Sequence, residues 1–134
     1  MRIARQFIDE IVEHAREEAP NECCGMIAAR DGEAVRVYRA TNAAASPLRY
    51  EVDPKDQLRI ETEIDDAGLQ LGAIYHSHTR SEPYPSQTDV NFAANWPGVQ
   101  WLIIGVAGDE PDVRNWRIEG GDVTQVEVQV DGAV

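Results

Sequence analysis

The apolar run Leu71-Gly72-Ala73-Ile74-Tyr75 leads directly into His76-Ser77-His78, and Ser86 and Asp89 complete a set of polar residues spread over fourteen positions. Residues i and i+2 of an extended segment share one face, so a strand through this run presents both imidazoles on the same side. Pro83 and Pro85 make the stretch 79–85 a loop. Ser86-Gln87-Thr88-Asp89 then has the form of a helix start, a capping box with Asp in place of Glu at its third helical position. The end of a strand must therefore lie against the beginning of a helix. Two imidazole nitrogens and one carboxylate oxygen make three protein ligands, the number with which a catalytic zinc site keeps a fourth position open. The bland alternative is two solvated rings and an ordinary cap. It is disfavoured because the chain has only three histidines and two of them fall in this tripeptide.

The remaining pattern supplies the frame. Ile8, Ile11, Val12, Ala15 and Ala19 recur at helical spacing, which predicts an amphipathic helix over 4–18 stopped by Pro20-Asn21. Cys23 to Ala29 reads as a buried strand, and Asp31-Gly32 as a hairpin turn into a second strand over 33–40. Residues 41–49 read as a loop and Tyr50-Glu51-Val52 as a short strand. Asp53-Pro54 opens a helix that runs to Ala67 and closes at Gly68. After the His-bearing strand, a third helix runs from Ser86 to a stop at Pro97. Val99–Val106 is the most apolar strand, and Val113–Ile118 and Val123–Val130 form a hairpin across Gly120-Gly121. Hairpins mixed with helices indicate an α+β fold.

With 134 residues the chain is read as a single domain over 1–134. Its net charge of −12, with Lys55 the only lysine, opposes binding to nucleic-acid phosphates. No apolar run approaches the ~20 residues of a membrane span, and the amino terminus carries no signal-peptide core, so a cytoplasmic location without a membrane partner is expected. Cys23 and Cys24 are adjacent and read as two small buried residues. His14 reads as a solvated residue of the first helix. The sequence leaves the oligomeric state open, and a dimer is compatible with it.

A hydrolytic metal site needs a general base outside the ligand segment. Glu22 is the candidate because it stands at the mouth of an apolar strand, although Glu51, Glu61, Glu63 and Glu82 are also available. The Ser86 hydroxyl has two compatible roles. Its oxygen can accept a capping hydrogen bond while its proton is donated to a developing oxyanion.

Glu22, His76-x-His78 and, after seven further residues, Ser86-x-x-Asp89 together resemble the JAMM (MPN+) motif of the Mov34/MPN/PAD-1 family of zinc metallopeptidases, with no motif position substituted. The resemblance covers nearly the whole chain. It implies a mixed, curved β-sheet flanked by helices, with the JAB1/MPN-like layering shared with cytidine deaminases, and one zinc ion per chain. It implies His76, His78 and Asp89 as the metal ligands. Glu22 would hold the catalytic water as base and then acid, and Ser86 would stabilise the oxyanion.

The stretches around Glu22, His76 and Ser86 look most like the compact prokaryotic members that process sulfur-carrier proteins in cysteine biosynthesis. That likeness implies hydrolysis of the amide bond after the C-terminal Gly-Gly of a ubiquitin-like carrier, releasing cysteine. Removal of ubiquitin-like modifiers from lysines is the alternative, and a non-catalytic MPN scaffold is the reading from another class. A Gly-Gly tail would enter extended, by strand addition to an exposed edge. Loop 79–85 and the region after Tyr50 are expected to be its walls.

Overall fold

The computed structural model describes residues 1–132. In chain order the elements are β1 (Arg2–Ala4), α1 (Arg5–Glu18), β2 (Cys24–Arg30), β3 (Glu33–Ala40), α2 (Pro54–Asp66), β4 (Gln70–His78), α3 (Gln87–Ala93), β5 (Gln100–Gly105), β6 (Asp112–Glu119), β7 (Asp122–Val126) and β8 (Gln129–Asp131). Local chemistry accounts for most of their boundaries. The Asp53 carboxylate caps α2 by accepting from the Lys55 and Asp56 N–H groups, with Pro54 in its first turn. At the other end the Leu69 N–H bonds to the Ile64 carbonyl and the Gly68 N–H to the Asp65 carbonyl, the paired bonds of a Schellman stop. Asp31-Gly32 and Gly120-Gly121 all have positive φ, as two-residue hairpin turns require.

All eight strands form one mixed sheet in the order β7-β6-β5-β4-β2-β3-β1-β8. The β4–β5 pair is parallel, as are β1–β3 and β1–β8, and the other neighbours are antiparallel. β7 and β8 occupy opposite edges, yet only two residues separate Val126 from Gln129. Three residue steps span at most about 10 Å. The two edges must therefore approach each other, and the sheet curls, as expected for the α+β fold with a mixed, curved sheet.

Alternation along β4 divides the core. Ile74 joins Met26, Trp101 and Ile103 beneath α2 and α3, whereas Ala73 and Tyr75 join Ile27, Leu102 and Ile104 beneath α1. Trp101 through Ile104 are all fully buried, so β5 is covered on both faces. Each such side chain contributes about 1.5–3 kcal/mol relative to exposure. No helix among the described residues is long and apolar enough to cross a membrane.

The fold departs from the sequence expectation in four places. Arg2–Ala4 is a strand preceding α1, paired with β3 and β8. Tyr50-Glu51-Val52 forms only an isolated bridge from Val52 to Asn42, because the Glu51 N–H goes to the Asn42 side chain. Val123–Val130 splits into β7 and β8, where the chain crosses from one sheet edge to the other. The crossing is tied by the amino-terminal ammonium donating to the Glu127 carbonyl and by the Gln129 N–H donating to the Met1 carbonyl. α3 ends at Ala93, ahead of Pro97.

His14 is also buried, and its Nδ1 lies 2.7 Å from the Tyr75 hydroxyl. It follows Ile11 by three positions and so belongs to the inward stripe of α1. Burial, aided by Arg39, holds its pKa below the usual histidine range. Tyr75 leans across β2, so that a Cβ on Gly25 would run into its ring. Gly25→Ala should therefore destabilise the protein by about 2 kcal/mol or more through overpacking. A thermal melt of the variant, showing a clearly lower midpoint with unchanged far-UV dichroism, checks this.

Candidate metal centre

β4 is hydrogen-bonded on both sides as far as His76 and on the β5 side through His78. His76 pairs with Cys24 of β2 and with Ile103 of β5, and His78 pairs with Gly105. Past the end of β5, the Val106 N–H still donates to the His78 carbonyl at 3.1 Å. The two imidazoles thus project from the most constrained part of the sheet, on the face covered by α2 and α3. The return loop 79–85 fits closely over this end. A Cβ on Gly105 would stand 2.9 Å from the Pro83 ring.

α3 brings Asp89 to the same point. The Ser86 hydroxyl accepts the Asp89 N–H at 3.1 Å while Asp89 Oδ2 accepts the Ser86 N–H at 2.9 Å, a complete capping box. That Oδ2 atom also lies 3.1 Å from His76 Nε2 and 3.2 Å from His78 Nε2, and the two Nε2 atoms are 3.2 Å apart. His78 Nδ1 donates to the Glu82 carbonyl at 2.8 Å, which leaves Nε2 as the lone-pair nitrogen of the neutral ring.

Two imidazole nitrogens and a carboxylate oxygen form this near-equilateral triangle, whose centre suits a cation or a proton shared among their lone pairs. Tetrahedral zinc, with bonds of about 2.0–2.1 Å, would hold neighbouring ligands about 3.3 Å apart. The donor set fits such an ion. Only the orphaned Nδ1 of His76 departs from the usual outer-shell pattern. It is buried without a partner, and its ring is held instead by stacking on Tyr50 at 4.3 Å between centroids.

Electrostatics separate the members of the set. Burial raises the Asp89 carboxyl, but His76, His78 and the Ser86 N–H outweigh it and hold the group well below the usual carboxylate range. Burial pushes His76 down against the pull of Asp89. His78 experiences the same penalty, yet its bonds to Asp89 and the Glu82 carbonyl raise it.

Glu22 offers an oxygen within 4.8 Å of the ligand atoms of His76 and His78, and its Oε1 is buried with no hydrogen-bond partner. Burial, against the pull of His78 and reinforced by Asp89, pushes its carboxyl up to about 8. Among the described residues, Glu22 and Asp89 are the only buried carboxylates. Glu51 and Glu63 are exposed, Glu61 lies on α2, and Glu82 contributes only its carbonyl.

Five residues singled out in the sequence therefore converge. His76, His78 and Asp89 form the triangle, Glu22 lies beside it, and Ser86 caps the helix that carries Asp89 with its proton left free. Cys23 and Cys24 are free and buried on opposite faces of the sheet, and burial raises both thiols. Three contributors had been given no role from the sequence. Tyr50 backs His76, the Glu82 carbonyl orients His78, and the Ser77 hydroxyl accepts the Cys23 N–H at 2.8 Å. The middle residue of His-x-His, pointing to the opposite face, was the one available hint for Ser77.

Comparison with known proteins identifies the family. The family model described as prokaryotic homologs of the JAB domain matches residues 4–119. The CysO-cysteine peptidase of Mycobacterium tuberculosis is 35% identical over 131 residues, covering 96% of this chain and 89% of that protein. The desampylase of Haloferax volcanii is 40% identical over 114 residues, covering 79% and 81%. The crystal structure of a JAB1/MPN domain protein from Archaeoglobus fulgidus superposes with a TM-score of 0.67 at 19% identity, over 97% of this chain and 98% of that one. A family match across most of the chain, with relatives above 30% identity over most of its length, makes this protein a member of the prokaryotic JAB-domain family.

Proposed function

We propose that this chain is a zinc-dependent peptidase that hydrolyses the amide bond after the C-terminal Gly-Gly of a ubiquitin-like sulfur-carrier protein and releases cysteine. The enzyme class is that of a JAB-type metallopeptidase. The observation that carries the reading is the triangle of His76 Nε2, His78 Nε2 and Asp89 Oδ2 with the unpaired carboxylate of Glu22 beside it. A non-catalytic scaffold has no use for such a set, whose burial costs free energy. The choice of a sulfur carrier follows the relative that spans 96% of this chain. The 40% identical desampylase favours a second reading, removal of ubiquitin-like modifiers from proteins.

His76, His78 and Asp89 would hold the metal. Bound zinc supplies Lewis-acid polarisation and a water nucleophile at neutral pH. Glu22 takes the proton of the attacking water and delivers it to the leaving amine, a task suited to a carboxyl whose burial raises its proton affinity toward neutrality. The Ser86 hydroxyl, with its oxygen engaged by the Asp89 N–H, has its proton available for the oxyanion that forms on the scissile carbonyl. The whole chain acts as one catalytic domain, with the carrier tail entering between loop 79–85 and the region after Tyr50.

Intact-mass spectrometry of a Gly-Gly-ended carrier bearing an added cysteine tests the substrate. The expected outcome is loss of one cysteine by the metal-loaded enzyme and none after chelation. Cleavage of a lysine-linked conjugate alone would move the assignment to modifier removal. Glu22→Gln should retain one zinc per chain and lose about 10²–10⁴-fold in turnover. His78→Ala should lose the metal as well as activity, as read by elemental analysis.

The metal-free protein offers a further check. A carboxyl with a folded pKa near 8 and an unfolded value near 4.5 binds its proton more tightly when folded. Its stabilising contribution is therefore complete below about pH 4.5 and is lost as pH rises toward 8. In chelated protein, the melting midpoint of Glu22→Gln should exceed that of the wild type by about 10 °C more at pH 8 than at pH 5. Parallel midpoints at the two pH values would count against the buried, proton-retaining carboxyl.

A further inference from the structure

Glu22 belongs to no regular element, since β2 begins only at Cys24. Its backbone is held by the segment that follows β3. The Glu22 N–H donates to the Ser46 carbonyl at 2.9 Å, and the Glu22 carbonyl accepts from Asn42 Nδ2 at 3.0 Å. The same Nδ2 donates to the Arg49 carbonyl at 3.1 Å, while Oδ1 accepts the N–H groups of Ala44 and Glu51, each at 3.0 Å. A primary amide has two N–H donors and two lone pairs, and Asn42 uses all four. Its side chain gathers both arms of segment 42–52 and clips them to Glu22. The Asn42–Val52 bridge closes the base of the segment.

Two further features support a shape held for a purpose. Ala45 sits at φ 45°, a left-handed conformation unfavourable for a residue with a Cβ. It directly precedes Ser46, whose carbonyl receives the Glu22 N–H. Near the far end of the segment, Tyr50 is buried and stacks on His76. One polar hub therefore connects the backbone of Glu22 with the aromatic ring that backs His76.

We infer that Asn42 is a positioning residue, which sets the Glu22 carboxylate against the His76–His78–Asp89 centre through segment 42–52. This rests on the reading of Glu22 as the general base. Asn42 touches neither substrate nor metal in this scheme. Its effect comes from geometry, because a displacement of about 1 Å in a reacting group costs on the order of 10²-fold in rate. Uniform binding of the substrate is left alone, so the loss falls on kcat.

The test compares the zinc-loaded wild type with Asn42→Asp, Asn42→Ala and Glu22→Gln on the Gly-Gly-ended carrier bearing cysteine. Asn42→Asp retains oxygen acceptors for the Ala44 and Glu51 N–H groups and removes the donors to Glu22 and Arg49. Asn42→Ala removes both kinds of bond. The expected result for Asn42→Asp is a fall in kcat of about 10–100-fold with KM within about threefold. Zinc content should stay at one per chain, and the melting midpoint should move by only a few degrees. Asn42→Ala should lose at least as much.

Wild-type kcat in either folded variant overturns the inference, as does a rise in KM alone, which would make the segment a substrate wall. Loss of zinc or of the folded state in both variants overturns it too, leaving Asn42 a purely structural part. Glu22→Gln separates the two levels. Near wild-type turnover there removes the base reading and this inference with it. An inactive Glu22→Gln beside a fully active Asn42→Asp removes this inference alone.

Discussion

Asp89 Oδ2 receives the Ser86 N–H and lies 3.1–3.2 Å from the Nε2 atoms of two histidines. The arrangement joins three separate parts of the chain at one atom: the end of β4, the first turn of α3 and the loop between them. Helix capping and ligand placement are here the same hydrogen bonds. The box that starts α3 also fixes which way the Asp89 carboxylate points, so little conformational freedom remains to be lost when an ion binds. The whole cluster is buried, and buried polar groups without partners are expensive. The hydrogen bond between His78 and Asp89 raises the His78 imidazole and, with His76, helps hold the Asp89 carboxyl down.

β4 serves two functions through its alternation. Its even-numbered positions Ile74, His76 and His78 face α2 and α3, and its odd-numbered positions Ala73, Tyr75 and Ser77 face the opposite way. The second set anchors the first. Tyr75 is tied to His14 on α1, and Ser77 to the Cys23 N–H, one residue from Glu22. A strand bonded on both sides and packed on both faces has few ways to move. The cluster is thus mounted on the least deformable element, while the neighbouring loops 41–53 and 79–86 carry the exposed Leu48 and Tyr84.

Local signals were legible wherever the chain announces its own geometry. The apolar strands, the Asp53-Pro54 helix start, the Asp31-Gly32 and Gly120-Gly121 turns and the Ser86 cap all appear where residue pattern predicts them. Three of the failures share one cause, the long-range partner. Arg2–Ala4 is a strand only because β8 and β3 lie beside it, and Val123–Val130 breaks because its second half belongs to the opposite edge of a curled sheet. His14 looked like a polar residue on a helix. Its burial depends on the Tyr75 hydroxyl sixty-one positions away.

By itself the sequence determined the donor set and most of its local presentation. A strand period of two puts His76 and His78 on one face, and a capping box puts Asp89 on the inner side of a helix start. Composition determined that the surface is acidic. Only the tertiary structure decided that these donors meet in a triangle 3.1–3.2 Å on a side, and that Glu22, more than fifty positions earlier, is the glutamate beside it. Pairing of β2 with β4 makes that choice, because the register Cys24–His76 sets Glu22 at the mouth of the site. Register, sheet curl and burial depend on contacts between distant segments, and no local pattern encodes the distance at which two side chains finally meet.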